Sequence, residues 1–121
     1  MPLPKPIILV VEDDPLLRMA AVDMVEGAGF AAIEAANSAE AIEILENRLD
    51  IRVVFTDIDM PPGIDGIRLA ALIRDRWPPV KLIITSGHRI PPSGSLPSDS
   101  MFYSKPYPEN EVVATMRRMA A

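Results

Sequence analysis

The chain has 121 residues, of which 49% are hydrophobic and 24% are charged, a composition typical of one folded domain. It has no cysteine and a single histidine, His88, which excludes disulfides, thiol catalysis and zinc sites built from several such residues. The net charge of -5 argues against binding to nucleic acid. No apolar run is long enough to cross a membrane and residues 1–6 do not resemble a secretory signal, so we expect a cytoplasmic protein without a membrane partner.

Five short apolar segments are predicted to be strands, and three of them are rich in Val and Ile without polar alternation, as buried parallel strands are. The five segments cover residues 7–11, 30–33, 52–56, 81–85 and 101–104. Segments with apolar residues at helical spacing lie between them, the first capped by Asp14, the second by Asn37, and the third covering residues 69–77. A last helix begins after Pro108. Strands that alternate with helices predict an α/β fold with a parallel sheet and helices on both faces.

The segment 87–100 interrupts this alternation. It contains Pro91, Pro92 and Pro97 where a further crossover helix would be expected. Because a proline inside a helix costs about 3 kcal/mol, we expect a loop with at most one helical turn. We predict a single domain over residues 1–121, with residues 1–6 as an N-terminal tail.

Polar residues lie where the predicted strands end. Glu12 and Asp13 follow the first strand, Asp57 the third, and Lys105 the fifth, while Thr85 ends the fourth. The carboxyl ends of parallel strands share one edge of the sheet, where ligands bind in open α/β folds. We therefore expect these side chains to meet in one cleft.

The chemistry of such a cleft follows from its charges. Carboxylates of Glu12, Asp13 and Asp57 repel one another unless a cation neutralises them, and Mg²⁺ is the cation that suits oxygen ligands and phosphate. Lys105 would add a positive charge and Thr85 a hydroxyl donor, which together form a receptor for a phosphoryl group. Asp57 is then predicted to be the nucleophile that forms an acyl phosphate.

Each of these residues alone has a simpler interpretation. Glu12 and Asp13 would be solvated charges, Thr85 an ordinary strand residue and Lys105 a surface lysine. Asp59 is expected to face solvent, although its backbone carbonyl could reach a metal. Only the combination favours a functional site.

The chain resembles the receiver domain of the two-component response regulator family over essentially its whole length. The matching segments are residues 8–14, 55–61 with 65–66, 83–87 and 105–106. The resemblance implies a five-stranded parallel sheet in the order 2-1-3-4-5. It also implies Asp57 as phosphoacceptor and Asp13, Asp57 and the Asp59 carbonyl as Mg²⁺ ligands, with Glu12 acting through water.

The resemblance further implies how the domain receives and passes its signal. Thr85 and Lys105 would contact phosphoryl oxygens, and Thr85 with the aromatic Phe102 would form the switch. The phosphoryl donor would be a histidine of a sensor kinase or of a phosphotransfer protein. Family members also catalyse their own phosphorylation and hydrolysis, and we expect no other enzymatic activity. A cis peptide is expected at Lys105–Pro106.

The sequence departs from the family pattern in three places. The loop 60–66 is one residue longer than usual, the segment 87–100 replaces the fourth helix, and Phe102 lacks the hydroxyl often found at its position. The last two departures fall on the route by which relatives pass the signal to the face formed by the fourth helix, the fifth strand and the last helix.

Several functional alternatives remain at the level of the sequence. The chain is either a stand-alone receiver or a module of a longer regulator or hybrid kinase. Asp57 and Asp59 also resemble the paired aspartates of haloacid-dehalogenase-like phosphatases, but Pro61 does not fit that pattern. The complete set of carboxylates, Thr85 and Lys105 argues against a receiver that binds partners without phosphorylation.

Overall fold

The computed structural model describes residues 4–59, 65–87 and 90–121. In these ranges five parallel strands form one sheet in the order β2-β1-β3-β4-β5. The strands are β1 (Ile7–Val11), β2 (Ala31–Ala35), β3 (Ile51–Asp57), β4 (Lys81–Ser86) and β5 (Met101–Ser104). The helices are α1 (Pro15–Gly27), α2 (Ser38–Asn47), α3 (Gly66–Arg76) and α4 (Glu109–Ala120). The predicted α/β fold and its strand order are confirmed.

The core consists of two apolar layers, one on each face of the sheet. Helices α2 and α3 cover one layer, in which Leu9, Leu45 and Ile73 are fully buried. Helices α1 and α4 cover the other, which includes Ile8 and Met116. Neighbouring residues of β1 thus enter opposite layers, and this explains why the inner strands are continuous apolar runs. Among the described residues, no helix has the length and apolar character needed to span a membrane.

Side chains at the helix starts set where the helices begin. The Asp14 carboxylate accepts hydrogen bonds from the backbone amides of Leu16 and Leu17, and the Asn37 side chain accepts one from Glu40. These caps satisfy amides that have no partner within the helix. Both predicted caps are confirmed.

The second strand differs from its prediction, because it covers Ala31–Ala35 rather than residues 30–33. The prediction stopped before the polar residue Glu34. β2 is an edge strand, so Glu34 can stay exposed on the sheet face that α1 covers, where its carboxylate pairs with Arg18 of α1 at 3.1 Å. An edge strand tolerates a charge that a central strand excludes.

The connection from β4 to β5 has no helix or strand in its described part, residues 87 and 90–100, as predicted. Ser95 and Ser100 each close a tight turn by donating from both the amide and the hydroxyl to the carbonyls of Pro92 and Pro97. The prolines fix the backbone at these turns. Residues 60–64, which make up most of the longer loop 60–66, lie outside the described residues, as does His88.

Two residues, Asp99 and Leu96, fasten this connection to the rest of the domain. The Asp99 carboxylate pairs with Arg74 of α3 at 3.0 Å and with Lys81 of β4 at 3.6 Å. Leu96 packs against the apolar layer under α2 and α3. The connection therefore covers part of the layer that the missing crossover helix would have covered.

The start of α3 lies directly against the end of β3. The amide of Gly66 donates to the carbonyl of Ile58 at 2.9 Å. A Cβ atom at this position would lie 2.7 Å from the Cα atom of Ile58 and closer still to the carbonyl oxygen of Asp57. Only glycine allows this approach, which fixes the backbone beside Asp57.

We expect Gly66→Ala to lower the free energy of unfolding by about 2–3 kcal/mol, because backbone atoms must move to admit the methyl group. Gly27→Ala is the matched control, since no atom beyond its chain neighbours and the nearby backbone of α1 lies within 4 Å of the point that its methyl group would occupy. This control should leave stability unchanged or raise it. Urea unfolding of both variants measures the difference, and equal midpoints for Gly66→Ala and the wild type would show that the contact is not tight.

Candidate phosphoryl-transfer site

The predicted polar residues meet at the carboxyl edge of the sheet. Glu12 directly follows β1, Asp57 ends β3, and Lys105 directly follows β5. Thr85 of β4 lies in register with Asp57 of the neighbouring strand. Residues from four strands are therefore brought together by the parallel topology, as their positions at the strand ends predict. The Lys105–Pro106 peptide is cis.

Lys105 joins the two buried carboxylates of the site. Its Nζ atom donates to Glu12 Oε1 at 3.2 Å and to Asp57 Oδ2 at 3.1 Å. Both acidic residues are only 7% exposed. Two carboxylates buried so close together would repel strongly, and the shared ammonium offsets that repulsion.

An acidic cluster lies beside this ion pair. Glu12, Asp13 and Asp57 each offer a carboxylate oxygen, and these oxygens lie within 4.8 Å of one another. Asp13 is exposed, so the cluster opens to solvent on one side. One ammonium leaves the three carboxylates with an excess of negative charge, and their oxygens are the ligands that hard divalent cations prefer. The cluster is therefore suited to hold a metal ion.

The pKa values of the paired groups follow from burial and charge. Burial raises the pKa of Glu12, and the carboxyl groups of Asp13 and Asp57 raise it further, against the Asp14 amide and the Lys105 charge. Burial lowers the pKa of Lys105, but hydrogen bonds to Asp57 and Glu12 and their charges outweigh it and raise that pKa. Lys105 thus remains an ammonium at neutral pH.

Asp59 is more enclosed than the solvent-facing position expected from the sequence. Its amide donates to Asp57 Oδ1 at 3.4 Å, and its carboxylate accepts a hydrogen bond from the Ser86 hydroxyl at 3.2 Å. Sequence reasoning missed Ser86, because a serine at a strand end carries no signal of its own. The contact links the ends of β3 and β4 next to Asp57.

A cavity of about 410 Å³ opens beside the carboxylates, between α1 and the segment that leads into α4. Its walls are mainly apolar and include Leu17, Ala20, Phe55 and Tyr107, while Glu12, Asp57, Thr85 and Lys105 lie on its polar side. Tyr107 packs edge-on against Phe55, with ring centroids 5.7 Å apart, and burial raises its pKa. The site can therefore admit a group that approaches past α1.

The two aromatic residues of β5 point to opposite faces of the sheet. Phe102 packs against the layer under α2 and α3, where Leu96 also lies. Tyr103 faces α4, and its hydroxyl makes a 2.6 Å hydrogen bond with the Thr115 hydroxyl. The switch role of Phe102 and Thr85 stays a prediction. No sequence pattern indicates the Tyr103 contact, which depends on the packing of α4.

The family follows from a direct comparison of sequences. The sequence profile of the family described as "Response regulator receiver domain" matches residues 8–95, which is most of the chain. The chain therefore belongs to the response regulator receiver family of two-component signalling systems. The matched range ends before β5 and does not include Lys105. Lys105 is assigned to the site because its Nζ atom contacts Asp57 in the structure.

Similar proteins include both short and long members of the family. The response regulator receiver protein CpdR of Brucella abortus is 31% identical over 115 residues, which cover 93% of this chain and 94% of CpdR. The sensor kinase CckA of the same organism is 32% identical over 116 residues, but the chain spans only 12% of that kinase. A crystal structure of a response regulator receiver protein from Sinorhizobium medicae superimposes with a TM-score of 0.88 at 26% identity, covering 96% of this chain and 94% of that one.

Proposed function

We propose that Asp57 is the phosphoacceptor of this receiver domain, and that it takes its phosphoryl group from a phosphohistidine of a sensor kinase or phosphotransfer protein. The observation that carries the proposal is the Lys105 ammonium, which bridges Asp57 and Glu12 beside a solvent-open acidic cluster. We further propose that the chain catalyses only its own phosphorylation and dephosphorylation. The strand order and the family match favour this function over that of an aspartyl phosphatase.

The donor set supports Mg²⁺ as the cofactor. Asp13 and Asp57 would hold it directly, together with the carbonyl of Asp59, and Glu12 would act through water. Bound Mg²⁺ would neutralise the carboxylates and draw negative charge from the phosphoryl oxygens.

The chain's own groups support a direct transfer. A carboxylate oxygen of Asp57 attacks the phosphorus atom, and a P–O bond forms while the P–N bond to the donor imidazole breaks. The imidazole leaves with the electron pair of that bond. The Lys105 ammonium and the Thr85 hydroxyl donate hydrogen bonds to phosphoryl oxygens, whose charge is highest as transfer proceeds. Water later attacks the phosphorus atom of the acyl phosphate, the P–O bond to Asp57 breaks, and inorganic phosphate leaves while the Asp57 carboxylate is regenerated.

We expect acetyl phosphate with Mg²⁺ to add one phosphoryl group to the wild type and none to Asp57→Asn, because a carboxamide is a poor nucleophile. Asp75→Asn, on an exposed face of α3, is the matched control and should be labelled like the wild type. Intact-mass spectrometry with and without EDTA measures the labelling. Undiminished labelling of Asp57→Asn would show that another residue is the acceptor.

Exposed apolar residues of α1 support a protein partner as phosphoryl donor. Leu16 is 76% exposed and Met19 is 61% exposed, while Leu17 of the same turn lines the cavity beside Asp57. A protein that carries a phosphohistidine into this cavity would cover these side chains. Burial of apolar area would then contribute to binding at the place where transfer occurs.

We expect Leu16→Ala to lower kcat/KM for phosphotransfer from a phosphorylated kinase or phosphotransfer protein about 10-fold, as removal of an interface anchor does. Its labelling by acetyl phosphate should not change, since that donor needs no docking surface. Leu49→Ala is the control, because Leu49 is 97% exposed but lies before β3, away from the carboxyl edge. Equal transfer rates for Leu16→Ala and Leu49→Ala would exclude this part of α1 from the interface.

A further inference from the structure

A side chain of α1 fixes the turn that carries two of the acidic residues. The Arg18 guanidinium donates from Nη1 to the backbone carbonyl of Glu12 at 3.0 Å, and from Nε to the Glu34 carboxylate at 3.1 Å. The Arg18 side chain is only 21% exposed. One planar group thus joins α1, the end of β1 and the edge strand β2.

This contact acts on the peptide that connects Glu12 to Asp13. The amide of Glu12 already donates to the carbonyl of Ala35 in β2 at 3.1 Å. Arg18 holds the carbonyl of the same residue. Because a peptide unit is planar, fixing the Glu12 carbonyl also fixes the direction in which the chain enters Asp13.

We infer that Arg18 is a positioning residue for the metal site, which orients the Glu12–Asp13 peptide so that both carboxylates converge with Asp57 on a divalent cation. The inference rests on the proposed function of the acidic cluster. Arg18 touches the metal site only through the backbone, as groups behind metal ligands commonly do. Its positive charge by itself opposes the binding of a cation, so a gain in affinity must come from geometry.

A purely structural role for Arg18 makes a different prediction. In that case its loss would lower the melting temperature but leave the metal affinity of the folded protein unchanged. If the role of Arg18 were purely electrostatic, its loss would raise the affinity for Mg²⁺, because a nearby positive charge would be removed. The direction of the change in Mg²⁺ affinity therefore separates the three roles.

The test is calorimetric titration of the full chain with Mg²⁺ alone, with no phosphoryl donor present. We expect the Kd of Arg18→Met to be about 10-fold higher than that of the wild type, since Met keeps the apolar stem but cannot donate. Arg48→Met is the matched control, because it removes an equal charge from an exposed arginine that pairs with Asp50 before β3. Its Kd should equal that of the wild type.

An unchanged or lower Kd in folded Arg18→Met would overturn the inference while leaving the proposed function intact. If the wild type itself does not bind Mg²⁺, the proposed function fails and the inference fails with it. Should Arg18→Met not fold, Arg18→Lys decides, because it keeps the charge but not the planar pair of donors. The Kd of Arg18→Lys should then be raised roughly threefold, and a wild-type value would overturn the inference.

Discussion

The shared ammonium of Lys105 holds the site together. It lies about equally far from the carboxylates of Glu12 and Asp57, which are buried at the ends of β1 and β3. Burial of two neighbouring carboxylates without a cation would be costly. The residue that offsets this cost comes from the far end of the chain, beyond β5. The order of the strands thus brings Lys105 to the two carboxylates, and the contact that results offsets their negative charge.

That contact also relates the stability of the domain to its chemistry. The acidic cluster keeps an excess of negative charge and remains open to solvent at Asp13. Such a cluster attracts a divalent cation, and the combined positive charge then attracts a phosphoryl group. Under the proposed function, the arrangement that tolerates buried carboxylates in the free domain would also prepare Asp57 to receive phosphate.

The sequence predicts a residue's place best where a single property of the fold, such as burial on both faces of the sheet or parallel strand direction, determines it. Continuous apolar runs define the inner strands because both faces of the sheet are covered, and the strand ends bring Glu12, Asp57 and Lys105 together because the strands are parallel. The order of the strands came from the family resemblance, because apolar periodicity carries no information on which strands are neighbours. The predicted extent of β2 was wrong, because an edge strand can include an exposed charged residue such as Glu34, which the prediction took as the end of the strand.

Contacts between side chains of different elements were not predictable in the same way. The bonds of Arg18 to the Glu12 carbonyl and of Tyr103 to Thr115 depend on how helices pack and which rotamers they allow. Composition does explain the unusual connection between β4 and β5, since its prolines exclude a helix. The way in which Asp99 and Leu96 fasten it to α3, β4 and the core became apparent only from the structure.

The proposed phosphoryl site can be tested by a crystal structure of the protein with Mg²⁺ and beryllium fluoride, a mimic of the phosphoryl group. We expect a metal ion held by Asp13 and Asp57, a beryllium trifluoride group whose beryllium atom is bound to a carboxylate oxygen of Asp57, and contacts from Lys105 and Thr85 to the fluorine atoms. An adduct on a different carboxylate, or an acidic cluster that stays free of metal at saturating Mg²⁺, would contradict the proposed role of Asp57.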